Sequence, residues 1–184
     1  HIWKGGASPA QNGIICQPNI PTEEVFTCPH AYKVDGWVSA TKPLAHQGTV
    51  IENIAVRFQA GKIVEATATK GQDVLRALLN TDEGASRIGE VALVPHSSPI
   101  SQSGVLFYNT LFDENASCHI ALGQSYADTV EGGAVFLPEE LQQKGANQSL
   151  IHVDWMIGSD AVDIDGITLQ GTVVPVMRAG EWAF

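Results

Sequence analysis

Charge is scarce in this chain, and basic charge scarcer. Asp, Glu, Lys and Arg make up 16% of the 184 residues, against about one quarter in an ordinary soluble domain. Such a shortage fits a strand-rich chain, and it fits a surface that partly faces another domain or subunit; we adopt both readings. Ten bases stand against 20 acids, for a net charge of −10. No stretch gathers the bases into a stripe that would displace phosphate counterions, which disfavours nucleic-acid binding, and no nucleic-acid partner is expected. The acid excess suits divalent cations in part, although most of these carboxylates read as solvated surface. Cysteine is nearly absent. Cys16, Cys28 and Cys118 form an odd set with no C-x-x-C pair, which argues against a disulfide framework and predicts free thiols in a reducing cytoplasm. No apolar run approaches the length of a membrane span and no signal peptide is visible, so no membrane partner is expected. The chain opens His-Ile-Trp-Lys-Gly-Gly without an initiator Met, as a fragment or processed product would.

The remaining composition, 44% hydrophobic, supports a good core in one domain over residues 1–184. Residues 1–21 are rich in Gly and Pro and read as an irregular lead-in. From Gly36 to Thr69 the texture is a meander of strands, with Ala60-Gly61-Lys62 as a hairpin turn. Asp73–Leu79 has the period of an amphipathic helix, with Val74, Leu75, Leu78 and Leu79 on one face. Ile88–Val94 reads as a strand closed by Pro95, and 96–104 as a loop. Asn115 is placed to cap a short helix that Gly123 would end. Leu137–Lys144 reads as another short helix, 149–155 as a strand, and Asp163–Gly166 as a turn before two final strands. The expected class is α+β: a strand-rich mixed or antiparallel sheet, or a partly open barrel, with a few short helices.

Ser149-Leu150-Ile151-His152-Val153-Asp154-Trp155 is the most informative stretch. Strands alternate faces, so His152 and Asp154 share one side while Ile151, Val153 and Trp155 share the other. Burying an unpaired neutral polar group costs on the order of 2–7 kcal/mol, and a charge more. Either these two satisfy each other and their neighbours, or a divalent cation takes imidazole and carboxylate together. Glu90 interrupts the apolar strand 88–94, where metal ligation competes with an ion pair to Arg87. Glu114 and His119 flank the expected short helix, and Glu24 stands beside Glu23 before Val25-Phe26. Singly, each of these has an ordinary structural explanation. Together, Glu24, Glu90, Glu114 and Asp154 with His119 and His152 are the donor mix of dinuclear hydrolase sites. No H-E-x-x-H is present. Cys118 beside His119 makes a poor nucleophile pair, Asp163-x-Asp165-Gly166 lacks the rest of a calcium loop, and Cys28-Pro29-His30 lacks a second ligand pair.

Longer motifs add a resemblance. Pro21–Thr27, Thr81–Glu90, Leu111–Ala116, His119–Gly123, Ile151–Gly158 and the ending Gly180-Glu181-Trp182-Ala183-Phe184 resemble the thermophilic metallopeptidase family of aminopeptidases T, S and PepS. The resemblance runs from about Ile20 to Phe184 and covers the C-terminal half of such an enzyme, without its N-terminal α/β domain. It implies a cytoplasmic homodimer that uses two divalent metals (zinc, cobalt, manganese or magnesium) to release N-terminal residues from peptides by hydroxide attack. It places metal ligands at Glu24, Glu90, Glu114, His119, His152 and Asp154, and an active-site tyrosine at Tyr126. For the mechanism we expect a nearby carboxylate, Glu23 or Glu114, to shuttle the proton to the leaving amine. The resemblance also implies contact with the protein's own N-terminal domain, without which this piece is expected to keep its ligands and lose activity. Two alternatives stay open on the ligand set: a dinuclear hydrolase of another bond such as a phosphoester, and a non-catalytic, metal-stabilised interaction domain.

Overall fold

The computed structural model describes residues 1–184. Five strands build the sheet that carries the candidate site residues: β1 (Lys4–Gly5), β2 (Val25–Thr27), β3 (Ile88–Leu93), β4 (His119–Gly123) and β5 (His152–Met156). They lie in that order, each antiparallel to its neighbour. Register fixes the two faces. Ile120 pairs with Trp155 and Leu122 with Val153 on one face, while Ala121 pairs with Asp154 and Gly123 with His152 on the other.

The first face makes the core. Ile120, Leu122, Val153 and Trp155 pack against Val56, Phe58 and Ile63, which belong to a second antiparallel sheet formed by Gly36–Ser39, Ala55–Gln59 and Lys62–Thr67. Helix α1 (Gln72–Leu79) covers its edge with Leu75 and Leu78 buried. Each such side chain contributes about 1.5–3 kcal/mol when taken out of water, so the core clamps β4 and β5 from one side and leaves their other face for chemistry. The turn between Gln59 and Lys62 uses Ala60 and Gly61, both with positive φ, as a two-residue hairpin of this twist requires. A third sheet, Ile164–Ile167 with Val173–Arg178 and Glu181–Trp182, buries Met177 against Leu93 and Cys118.

The class is α+β, with open antiparallel sheets and four short helices. No helix is long and apolar enough to cross a membrane, and all three cysteines are free.

Several local expectations change. No helix runs from Asn115 to Gly123. Residues Glu114–Ala116 make one 3-10 turn and His119–Gly123 is strand β4. The Asn115 amide does not cap; it accepts the Glu23 N–H at 2.7 Å and donates to the Leu111 carbonyl at 3.1 Å. The loop 96–104 contains helix α2 (Pro99–Ser103), capped by the Ser98 hydroxyl. Asp163–Gly166 is mostly strand, with Asp165 ion-paired to Arg178. The meander of 36–69 is interrupted, because Leu44–His46 and Thr49–Ile51 form a separate hairpin between two strands of the second sheet.

Candidate metal centre

The site is built on the sheet face turned away from the core. Glu24 sits just before β2, Glu90 in β3, His119 at the start of β4, and His152 and Asp154 two apart in β5. Ala92 of β3 pairs with His119 and with Phe26, and Glu90 pairs with Ala121, which pairs with Asp154. Alternation therefore brings all five donors to one side. Gly123 is required where β4 ends: its φ is +98°, and a Cβ there would lie 2.2 Å from the Ile151 carbonyl oxygen.

These side chains meet in two trios. Glu24, Glu90 and His119 form one; Glu90, His152 and Asp154 form the other, and within each trio the donor atoms lie within 4.8 Å of one another. Glu90 belongs to both. His119 Nε2 is 2.9 Å from Glu24 Oε2 and 3.7 Å from Glu90 Oε1, and His152 Nε2 is 3.4 Å from Asp154 Oδ1. Despite these distances, Glu24 Oε2, His119 Nε2 and Asp154 Oδ1 are buried without a well-directed hydrogen bond. Proximity without direction is the signature of groups aimed at a common point rather than at each other. The far side of each ring is anchored: His119 Nδ1 meets the Ser117 carbonyl at 3.1 Å and His152 Nδ1 meets the Gln124 carbonyl at 2.7 Å. With Nδ1–H donating to a carbonyl, Nε2 presents its lone pair to the trio, as metal-binding imidazoles do. The donor set fits a divalent cation.

Burial and the nearby charges shift the proton equilibria of Glu90, Glu114, His152 and Asp154. Burial pushes the Glu90 carboxyl up, with bonding to His119 opposing and the Asp154 charge adding. Burial, then the charges of Asp154, Glu24 and Glu90, raises Glu114 to about 9. Burial disfavours a charged His152, yet the adjoining Asp154 carboxylate and the Gln124 carbonyl lift it to about 9. Asp154, which burial would raise, is held low by His152. A cation would relieve the same repulsion in place of the imidazole protons.

Above the trios opens a cleft of about 520 Å³. Glu114 and Tyr126 line it outside the trios. Burial and the surrounding carboxylates push the Tyr126 phenol up to about 12, so it remains a hydroxyl donor, with its ring 4.8 Å from that of His152. Of the two expected proton-shuttling acids, Glu114 lines the cleft and Glu23 does not. Arg87, the expected rival partner of Glu90, instead stacks over Tyr32 at 4.6 Å and donates to the Ala31 carbonyl. Burial raises the Cys118 thiol above its ordinary value, and the thiol packs against Met177, so it is no nucleophile. Sequence reasoning missed Lys4, Asp128, His46 and Thr110 in the cleft wall, none of which stands in an apolar run that would mark it.

A model of the family described as Thermophilic metalloprotease (M29) matches residues 1–182. The chain belongs to the thermophilic metalloprotease family. Within that family it is 54% identical over 182 residues to Aminopeptidase T of Thermus aquaticus, covering 99% of this chain and 44% of the relative. It is 53% identical over 184 residues to Aminopeptidase 2 of Geobacillus stearothermophilus, covering 100% and 45%. The solved structure of wild-type AmpT from Thermus thermophilus superposes with a TM-score of 0.94 at 53% identity, over 100% of this chain and 45% of that one. The chain thus spans a little under half the length of these thermophilic metalloprotease relatives, and matches their C-terminal part.

Proposed function

We propose that this chain carries the metal centre of an aminopeptidase, which removes N-terminal residues from peptides at a pair of divalent cations. The observation that carries the reading is the sharing of Glu90 between two trios of buried donors. The family relatives, aminopeptidases by name, supply the substrate class. Glu24 and His119 would hold one cation, His152 and Asp154 the other, with Glu90 between them. Carboxylate with imidazole suits zinc, cobalt or manganese, and magnesium through the carboxylates. When bound, such ions supply Lewis acidity toward a carbonyl and bring the pKa of a water toward about 7.

The chain's own residues do the rest. The Tyr126 hydroxyl donates to the carbonyl oxygen as negative charge grows there, an interaction that counts because it strengthens in the transition state. Glu114, which lines the cleft beside the trios, is the group that passes a proton to the departing amine. The acid-lined cleft receives the substrate's cationic α-amino group, which limits attack to the chain end. The same reading makes residues 1–184 the metal-binding C-terminal unit of a longer, homodimeric cytoplasmic enzyme with an N-terminal α/β domain. The low charged fraction and the free thiols support it.

The test assays leucine p-nitroanilide beside p-nitrophenyl phosphate, with and without chelator. Anilide hydrolysis that chelation abolishes is expected. Cleavage of the phosphate alone would make this a hydrolase of another bond, and bound metal without turnover of either would make it an interaction module.

A further inference from the structure

The cleft over the trios is floored by acids, yet one strong base reaches it: Lys4 is its sole lysine or arginine. Lys4 lies in β1, and its pairing with Phe26 puts it on the sheet face of the metal donors. Its ammonium is 3.7 Å from the Asp128 carboxylate, with the two side chains 35% and 50% exposed. An ion pair so open to solvent contributes about 0–1 kcal/mol, so stability does not account for a lysine at this point. Asp128 itself sits in the Ala127–Thr129 turn that begins at Tyr126. Next to Lys4 the wall consists of Gly5, Gly6 and Ala7, which have little or no side chain and leave the ammonium group accessible. Gly6 has no alternative, since a Cβ there would fall 2.0 Å from Thr22 Cγ2.

Distance gives the base a use. Lys4 is in register with Ala92 through Phe26, so Glu90 lies two strand spacings across and two residues along, or about 12 Å away. Two extended residues span about 7 Å, and the lysine stem covers the remainder. A peptide whose first carbonyl lies over Glu90 therefore brings its own C-terminus to Lys4 when one or two residues follow the bond to be cut. We propose that Lys4 receives the free C-terminal carboxylate of di- and tripeptides, with Asp128 holding the ammonium group in place when no peptide is bound. Away from the trios, Lys4 is the one side chain in this wall that carries a permanent positive charge. A longer peptide presents a neutral amide at the same point and gains nothing from the ammonium. The inference rests on the aminopeptidase reading for the placement of the other end of the substrate.

The probe is an analogue of Leu-Gly-Gly whose first peptide bond is replaced by CH2–NH, as the free acid and as the C-terminal amide. Binding is measured by titration calorimetry on the metal-loaded protein at its natural full length, so no turnover is needed. The acid is expected to bind about tenfold more tightly than the amide, the worth of one charge-assisted contact. That ratio should fall to near one in Lys4→Met and persist in Lys4→Arg. Equal affinity in the wild type, a ratio that survives Lys4→Met, or no binding of either analogue overturns the assignment. Leucine p-nitroanilide, which has no carboxylate, reports separately on the peptidase reading: failure to cleave it would remove that reading while leaving a measured carboxylate preference standing.

Discussion

Glu90 is the residue on which both donor trios converge, and its substitution distinguishes one shared centre from two separate sites. Glu90→Gln should lose cations from both trios, whereas Asp154→Asn should deplete the His152 side and leave the Glu24–His119 side occupied. Metal analysis by mass spectrometry reads the difference, and unchanged stoichiometry in Asp154→Asn would remove Asp154 from the ligand set. Tyr126→Phe should keep its metal and lower kcat by about 10²–10³, as loss of a single oxyanion donor does elsewhere; equal kcat would show that the hydroxyl plays no part. Much at this scale was legible beforehand. The two-residue alternation in 152–156 put His152 and Asp154 on one face because β5 has one side buried in the core. Arg87 could not be separated from the metal as a partner for Glu90, because sequence neighbours on a strand say nothing about which cross-strand group is nearer. Lys4 was invisible for a different reason: in the sequence, a lysine in a glycine-rich stretch looks like any solvated surface group.

Elements carry the donors to their places, and two of the connections can be tested. The Asp82 carboxylate accepts the Ala85 N–H at 2.8 Å, the Ser149 hydroxyl at 2.8 Å and the Leu150 N–H at 2.6 Å. It thereby ties the turn before β3 to the chain entering β5. Slight burial pushes this carboxyl up, but the hydrogen bonds outweigh it and hold the group below its usual 3.8. A carboxyl depressed on folding stabilises fully above its unfolded value and loses that effect as pH falls through the folded one. Asp82→Ala should thus cost about 1–3 kcal/mol at neutral pH, measured by urea unfolding, with the gap to wild type closing once the pH drops well below 3.8. A gap that is constant with pH would contradict this. Gly123→Ala should cost on the order of 1–3 kcal/mol through backbone strain alone, plus the clash with Ile151, and should loosen the His152 anchor on Gln124; wild-type thermal stability in the variant would refute the requirement. Strand β4 is the element the sequence concealed. All five of its residues are buried, so hydrophobicity does not alternate along it. Ala121 and Leu122 favour helix, and a glycine at its end resembles a helix stop. Tertiary pairing with β3 and β5 overrides those local preferences.

At the scale of the whole molecule, apolar surface is left uncovered in places remote from the core. Leu169 and Ile167 project from the hairpin of the third sheet, and Val135, Leu137 and Leu150 are similarly exposed. On the proposed reading these side chains would be covered by another domain or subunit. Expressed alone, residues 1–184 should bind the dye ANS and show at least about tenfold lower kcat/KM than the full-length protein, since pocket walls contributed by the remaining chain would be missing. Matching kcat/KM would mean that these residues are sufficient. The α+β class was readable from strand texture and turn chemistry, while the meeting of donors scattered from Glu24 to Asp154 depends on sheet order, which local patterns do not encode. The account therefore stands on what occupies that meeting point. Anomalous-scattering maps of the protein grown with zinc or manganese test it most directly. Two peaks should appear, one within coordination distance of Glu24 and His119 and one of His152 and Asp154, both touching Glu90; no peak among these side chains, with metal bound elsewhere or not at all, would contradict it.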